Sequence, residues 1–208
     1  MFFNQFISTT NKNKKNLYIK TFFALFVFFI TVNFASNAHA DNKDLRFILT
    51  GHMYPILSDE IRLNNFLKKI NSHNPDILFI LGDSNLHKID HLKKIKSKIK
   101  AKIFFSPGNQ ELLPENADNY LSNIGYLNKT VIKDDIRFII LNSSEKKSNI
   151  INYLNENLKN DNKTNLILTH HRIWDDSIID KQSYSHDKSF YFEDIYPIIN
   201  GKVKAIFS

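Results

Sequence analysis

The chain contains no cysteine among its 208 residues. Disulfide bonds and thiolate metal sites are therefore excluded, and any metal ion must be held by histidine, aspartate, asparagine or similar ligands. Glycine is scarce, with five residues, and nothing in the composition indicates a collagen-like or disordered chain. The apolar and charged fractions, 42% and 24%, are ordinary for a globular protein that is large enough to form a core.

Acidic residues are absent from the first forty positions, which contain four lysines. These lysines precede an apolar run at residues 21–35, and Ala38-His39-Ala40 supplies the small residues that a signal peptidase recognises. The pattern predicts a signal peptide at residues 1–40, cleaved after Ala40.

Cleavage would release residues 41–208 as one secreted or periplasmic domain. Loss of the four lysines would lower the net charge from +7 to +3, so this domain is only mildly basic. The alternative is an uncleaved membrane anchor, because the apolar stretch at residues 17–35 approaches the length that spans a bilayer. A membrane is expected as a partner only in that case.

Aromatic residues are absent from the lysine-rich segment at residues 88–102. Its apolar residues recur at helical spacing, which predicts an amphipathic helix with a lysine-rich outer face. A groove that binds nucleic acid would need aromatic side chains between the cations. We therefore interpret the lysines as a solvated face and expect no nucleic-acid partner.

The first half of the domain alternates strands and helices. Five consecutive apolar residues at 77–81 predict a central strand that is covered on both faces. Further strands are predicted at residues 45–49 and 102–105, and Ser58 is the expected N-cap of a helix that ends near Ser72. Such alternation predicts an α/β fold with a parallel sheet and helices on its outer faces.

The second half is less regular. Residues 130–133 and 136–141 predict a hairpin or two short strands. The expected elements after them are a helix at residues 148–158, a strand at 166–169, an irregular segment over the site at 174–192 and a last strand at 203–208. A domain that stops on a buried strand is expected to be C-terminally incomplete, since such strands are usually covered by further chain.

Polar residues follow four of the predicted strands directly: His52, Asp83, Asn109 and the pair His170-His171. Open α/β sheets place their ligands at the carboxyl ends of the strands. Imidazole, carboxylate and carboxamide groups are suitable ligands for zinc, manganese or iron ions. Two such ions could polarise a phosphate and lower the pKa of a water between them, and an aspartate would be the natural bridge.

The order and spacing of these strand ends resemble the calcineurin-like metallophosphoesterases. The residues that match the motifs of that family stand in four blocks: Thr50-Gly51-His52, Gly82-Asp83-Ser84-Asn85, Gly108-Asn109-Gln110-Glu111 and Leu168-Thr169-His170-His171-Arg172. The resemblance extends over residues 45–208. It implies a layered sheet core with helices outside.

The resemblance also implies an activity, which is hydrolysis of a small-molecule or polymer phosphoester by metal-activated hydroxide. One or two divalent ions (manganese, iron or zinc) would be bound. Asp83 would bridge them, with Asn109 and His170 on one ion and His52 at the other. His171 and Arg172 would contact the phosphate oxygens.

The sequence departs from the family pattern at three positions and at its end. Thr50 stands where the family has its first aspartate, Gln110 replaces a histidine that assists the reaction, and Arg172 lies where proline is usual. An amide cannot transfer a proton at a useful pKa. The last histidine block of the family would follow Ser208. An alternative is therefore a catalytically silent extracytoplasmic binding module of the same fold.

A second alternative uses different chemistry. Gly82-Asp83-Ser84 also resembles the nucleophile block of GDSL/SGNH-type esterases and acetyltransferases. Ser84 would then be the nucleophile, and Gly108 and Asn109 would donate to the oxyanion. His186 and Asp187 would have to complete the catalytic group.

Overall fold

The computed structural model describes residues 44–53, 56, 59–173 and 190–208. The signal peptide or anchor expected at residues 1–40 lies outside the described residues, as do residues 174–189 of the expected irregular segment. Within the described part of the chain, no helix is both long and apolar enough to cross a membrane.

The first sheet contains three parallel strands in the order β1-β2-β3. β1 is Phe47–Gly51, β2 is Ile77–Leu81 and β3 is Lys102–Ser106. All five residues of β2 are buried, since the strand is central and both of its faces are covered. The predicted parallel sheet is confirmed, with β1 starting two residues later than expected.

Three helices cover the outer face of this sheet. α1 spans Glu60–Ser72, α2 spans Ile89–Lys98 and α3 spans Ala117–Ile124. They pack on the sheet through side chains such as Leu67 of α1 and Leu92 of α2. α3 was not expected from the sequence.

The start of α1 differs from the expectation that Ser58 is its N-cap. Asp59 is the cap, and its Oδ1 accepts hydrogen bonds from the backbone N–H groups of Ile61 and Arg62 at 3.0 and 3.1 Å. A carboxylate satisfies these unpaired donors and also interacts favourably with the positive end of the helix dipole.

The second sheet has four strands in the order β4-β5-β6-β7. β4 (Lys129–Lys133) and β5 (Ile136–Ile140) form the antiparallel hairpin that the sequence left as one of two options. β6 (Thr164–Leu168) and β7 (Val203–Phe207) then add in parallel. β7 lies at an edge of the sheet and is only partly buried.

The outer face of the second sheet is also covered by helices. They are α4 (Lys147–Asn157), a π-helical turn at Phe190–Ile195 and α5 (Tyr196–Ile199). Ile150 and Leu154 of α4 and Ile199 of α5 are buried against β5 and β6. The α/β fold class and the helices on the outer faces are therefore confirmed.

The two sheets pack face to face around an apolar layer to which both contribute. Phe47 and Phe79 of the first sheet contact Phe138 of the second, with ring centroids 5.1 and 4.7 Å apart. The molecule thus has four layers, with two sheets inside and helices outside. Both sheets must dock before this layer is removed from water.

Replacing Phe138 by alanine tests the inter-sheet layer. Phe138 is fully buried, and we expect the substitution to lower the free energy of unfolding by about 3–5 kcal/mol because it leaves a cavity. Urea unfolding at pH 7 measures the change. Ile132→Ala, on the exposed edge strand β4, is the control and should change stability by less than about 1 kcal/mol.

A buried cation supports the second sheet. The guanidinium of Arg137 in β5 donates Nη1 to Asp161 Oδ1 at 3.0 Å and to Asn165 Oδ1 at 2.8 Å, while its Nη2 also contacts Asp161. The Arg137 hydrogen bonds hold the pKa of Asp161 below its ordinary value. Removal of one partner would leave a buried charge without compensation.

Asp161→Asn should therefore destabilise the protein at neutral pH, and the loss of stability should be smaller at acidic pH. A carboxylate whose pKa is lowered by folding stabilises the fold above its unfolded pKa, and this contribution disappears as the pH falls through the lower folded pKa. We expect the urea midpoints of wild type and variant to converge on acidification. A gap that stays constant with pH would contradict the assigned ion pair.

Candidate metal centre

The loops that follow β1, β2, β3 and β6 meet at one end of the two sheets. The backbone N–H of His52 donates to Gly82 O at 3.1 Å, which joins the loops after β1 and β2. Nδ1 of His170, after β6 in the second sheet, hydrogen-bonds Leu81 O of β2 at 3.0 Å. The centre is thus built across the junction between the two sheets.

Three of the predicted metal ligands converge there. Nε2 of His52 and Nε2 of His170 each lie 3.5 Å from Asp83 Oδ2. The two imidazoles stack with centroids 5.0 Å apart and planes inclined by 16°. One ligand atom from each residue lies within 4.8 Å of the other two, a spacing at which the three could hold one ion. His52 is exposed, whereas Asp83 and His170 are buried.

The hydrogen bond to Leu81 determines which nitrogen of His170 can bind a metal. A carbonyl oxygen only accepts, so Nδ1 of His170 must carry the proton that it donates to Leu81 O. In the neutral ring, the Nε2 lone pair then points to the Asp83 side. Metal-binding histidines are commonly oriented by such a bond to a backbone carbonyl.

The pKa shifts of Asp83 and His170 both favour the charged forms of these side chains. Burial alone would raise the pKa of Asp83, but the hydrogen bond and charge of His170, the Gln110 amide and His52 together lower it. Burial would lower the pKa of His170, but the bond and charge of Asp83 outweigh that effect and raise it. The carboxylate therefore stabilises positive charge at this position.

The backbone of these loops is held in an uncommon conformation. His52, Asp83 and Asn85 have φ values of 52°, 47° and 51°, in the left-handed region that residues other than glycine rarely occupy. Gly82 between them has φ of 69°. Such strain persists only where the surrounding structure determines it, and it concentrates at functional sites.

Glu111 holds the Asp83 loop in place. Its Oε2 accepts the backbone N–H groups of Asp83 at 2.8 Å and Gly108 at 2.9 Å. Its Oε1 accepts those of Ser84 at 2.8 Å and Leu86 at 3.4 Å. Glu111 is fully buried, so these charge-assisted bonds act without competition from water.

Two glycines allow the loops to approach closely. A Cβ on Gly82 would lie 2.5 Å from His170 Nδ1, and one on Gly108 would lie 2.5 Å from the Asp83 nitrogen. Any larger residue would push the histidine or the aspartate out of place. The motif glycines are thus required by the geometry of the centre.

Gln110 contacts the same carboxylate through its backbone, and Asn109 precedes it in the loop. The N–H of Gln110 donates to Asp83 Oδ1 at 3.1 Å. The role of Asn109 as a metal ligand stays a prediction. Thr50 is buried in β1 and supplies no carboxylate.

His171 lies beside the centre, and its ring is anchored to a serine. Its Nδ1 is 3.0 Å from Ser143 Oγ, which also accepts the backbone N–H of His171 at 3.0 Å. The rings of His171 and His170 contact edge to face at 4.5 Å. Arg172 is exposed at the start of the following loop. The catalytic roles expected for His171 and Arg172 remain predictions.

The surroundings of Ser84 disfavour the esterase alternative. Its hydroxyl is fully buried, donates to Gly82 O at 2.9 Å and accepts the Met53 N–H at 3.3 Å. The Gly108 N–H, the expected oxyanion donor, is bound to Glu111. A nucleophile needs access to substrate, and neither group offers it here. His186 and Asp187 lie outside the described residues.

Two contributors to the centre were missed in the sequence. Glu111 was quoted as part of a motif without a role, because its partners lie up to 28 residues away along the chain. Ser143 lies three residues after Ile140, the last residue of β5, so the carboxyl end of this strand also points to it.

No protein-family model matches the chain, and a comparison with curated proteins found no match either.

Replacing Glu111 by glutamine tests the loop clamp. The amide would turn an NH₂ group towards two backbone donors, and we expect a loss of about 2–4 kcal/mol in the free energy of unfolding. Glu115→Gln, at an exposed neighbouring position, should cost less than about 0.5 kcal/mol. Equal stability of the two variants in urea would refute the clamp.

Proposed function

We propose that the chain is a metal-dependent phosphoesterase of the calcineurin-like type. The observation that carries the proposal is the convergence of His52, Asp83 and His170, each from the carboxyl end of a different strand, within 4.8 Å of one another. The four-layer arrangement and the motif order of the sequence are consistent with it. We also propose that the protein is secreted or periplasmic, on the sequence of residues 1–40.

The donor set fits a divalent cation. Two imidazole nitrogens and one carboxylate are ligands suited to zinc, manganese or iron. The Leu81 carbonyl orients one imidazole, and the Gln110 N–H orients the carboxylate, as supporting groups do in metal sites. A cation bound there would polarise a phosphoryl oxygen and lower the pKa of a coordinated water.

The residues of the chain would have separate tasks. His52, Asp83 and His170 would bind the cation, with Asn109 as a further ligand in this proposal. His171, held by Ser143, would contact the phosphate oxygens, with Arg172 supplying positive charge. Gln110 can donate a hydrogen bond but cannot transfer a proton, so protonation of the leaving group would fall to solvent or to another residue.

The number of ions follows from the acidic ligands. Thr50 supplies no negative charge where the family has an aspartate, and Asp83 is the only carboxylate of the three-residue group. We therefore propose one firmly bound ion, with a second position weak. The substrate would be a small-molecule or polymer phosphoester.

Asp83→Ala should abolish metal retention. The purified full chain is loaded with manganese or zinc, dialysed and analysed by mass spectrometry of the metal. We expect one ion in the wild type and an affinity loss of more than about tenfold in the variant, because a charged ligand is removed. Asp90→Ala, an exposed aspartate on α2, is the matched control. Unchanged stoichiometry in Asp83→Ala would refute the assignment.

A catalytically silent binding module is the second candidate, and Thr50 and Gln110 favour it. Both candidates predict metal binding that depends on Asp83. They differ in the hydrolysis of an aryl phosphate by the metal-loaded chain, which the phosphoesterase should catalyse and Asp83→Ala should not. Metal binding without hydrolysis would support the silent module.

A further inference from the structure

Positive charge in this chain is concentrated in one stretch. Residues 88–102 contain seven lysines and a single aspartate. Outside this stretch and residues 1–40, the chain has 17 lysine and arginine residues against 20 aspartate and glutamate residues. The concentration is therefore local, and a general abundance of lysine does not account for it.

The fold gathers part of this charge at the end of the first sheet that lies opposite the candidate metal centre. α2 joins two parallel strands, so its last turn returns to their amino ends. There the N–H of Lys102 donates to Asp76 O at 3.1 Å, and the N–H of Asp76 donates to Arg46 O at 2.8 Å. We call the exposed cations at this end the basic rim: Arg46, Lys96, Lys98, Lys100 and Lys102.

The charges of the basic rim are compensated only in part. Lys94 of the same helix pairs with Glu60 at 3.0 Å and is not part of the rim. Two carboxylates lie near the rim: the pKa of Glu60 is lowered mainly by Lys94 and also by Lys98, and Asp76 Oδ2 accepts the backbone N–H of Arg46 at 3.0 Å. Five cations against these two carboxylates leave the rim positive. Lys98 Nζ donates to the neutral amide of Asn64, which leaves its charge unchanged.

Aromatic rings lie next to two of these lysines, one on each face of β3, since Phe104 belongs to the inter-sheet layer and Phe105 to the cluster under the helices. The ammonium of Lys102 lies 5.2 Å from the centroid of Phe104, and that of Lys96 lies 5.8 Å from the centroid of Phe105. Both rings are buried, so they are not available to stack on bases. A single-stranded nucleic-acid site would need exposed rings between the cations.

We infer that the basic rim docks on an anionic lipid surface. The inference concerns the uncleaved form of the chain, in which the apolar run at residues 21–35 is the anchor. Eight residues, 36–43, separate this run from residue 44, where the described chain enters β1 at this same rim. Lysine clusters next to an apolar membrane-directed segment bind acidic headgroups, with each lysine near the surface adding to the attraction. A weak membrane anchor needs a second attraction for stable binding, and a basic cluster supplies one.

Docking by the basic rim would fix the orientation of the domain. A five-residue strand spans about 17 Å, so the carboxyl ends that hold the candidate metal centre would lie on the far side from the lipid. The centre would then remain open to solvent and to soluble substrates. The inference does not depend on the proposed phosphoesterase activity.

Vesicle co-sedimentation of the full chain tests the inference. Binding is compared between vesicles of phosphatidylcholine alone and vesicles that also contain phosphatidylglycerol, so that any contribution of the apolar run is common to both. The rim variant changes Lys96, Lys98, Lys100 and Lys102 to glutamine. The control changes four lysines at the opposite end to glutamine and therefore removes the same total charge: Lys88, Lys129, Lys146 and Lys147.

We expect the wild type to prefer the anionic vesicles and to lose this preference with added salt. The rim variant should lose at least about tenfold of the preference, and the control should keep it within about twofold. Arginine at the four rim positions preserves charge and should preserve binding, which separates a charge effect from misfolding.

Any of four results would overturn the inference. The wild type could bind both kinds of vesicle equally, the control could lose as much as the rim variant, or the rim lysines could support binding to a DNA duplex without any vesicle preference. Loss of binding in the arginine variant together with a lowered melting temperature would also count against it, since folding rather than charge would then explain the loss.

Discussion

The arrangement of the candidate centre depends on one buried carboxylate. Glu111 accepts four backbone N–H groups, from Asp83, Ser84, Leu86 and Gly108. These donors belong to the loops after β2 and β3, which have no regular secondary structure to satisfy them. An unpaired buried amide is costly, so a single anion that serves four of them fixes both loops at once. The left-handed backbone of Asp83 is held by these bonds.

Much of the fold could be predicted from the sequence because the buried positions of strands and helices form recognisable apolar patterns. The five apolar residues of β2 are buried at every position, and the apolar positions of α1 recur at the helical period and face the sheet. The approach of His52 to Asp83, about 30 positions later, followed from a rule of topology, since the parallel strands β1 and β2 bring their carboxyl ends to one edge. His170 follows a strand of the second sheet, so its position also depends on how the two sheets pack.

The features that were missed depend on partners that local sequence does not specify. Glu111 looks like any loop acid until the loop 28 residues earlier is folded against it. The choice of Asp59 over Ser58 as a cap is a matter of one residue, and either type is suitable. α3 is only eight residues long and buries only Tyr120, so it has too few turns for an apolar stripe to stand out in the sequence.

The hydrogen bond from His170 to Leu81 crosses from the second sheet to the first. Two of the three candidate ligands come from one sheet and the third from the other, so a cation held by all three would fasten the sheets together. A ligand that binds only the closed state stabilises that state by mass action. Separation of the sheets and release of the cation would then be a single event. The free energy of unfolding would therefore increase with the concentration of free metal.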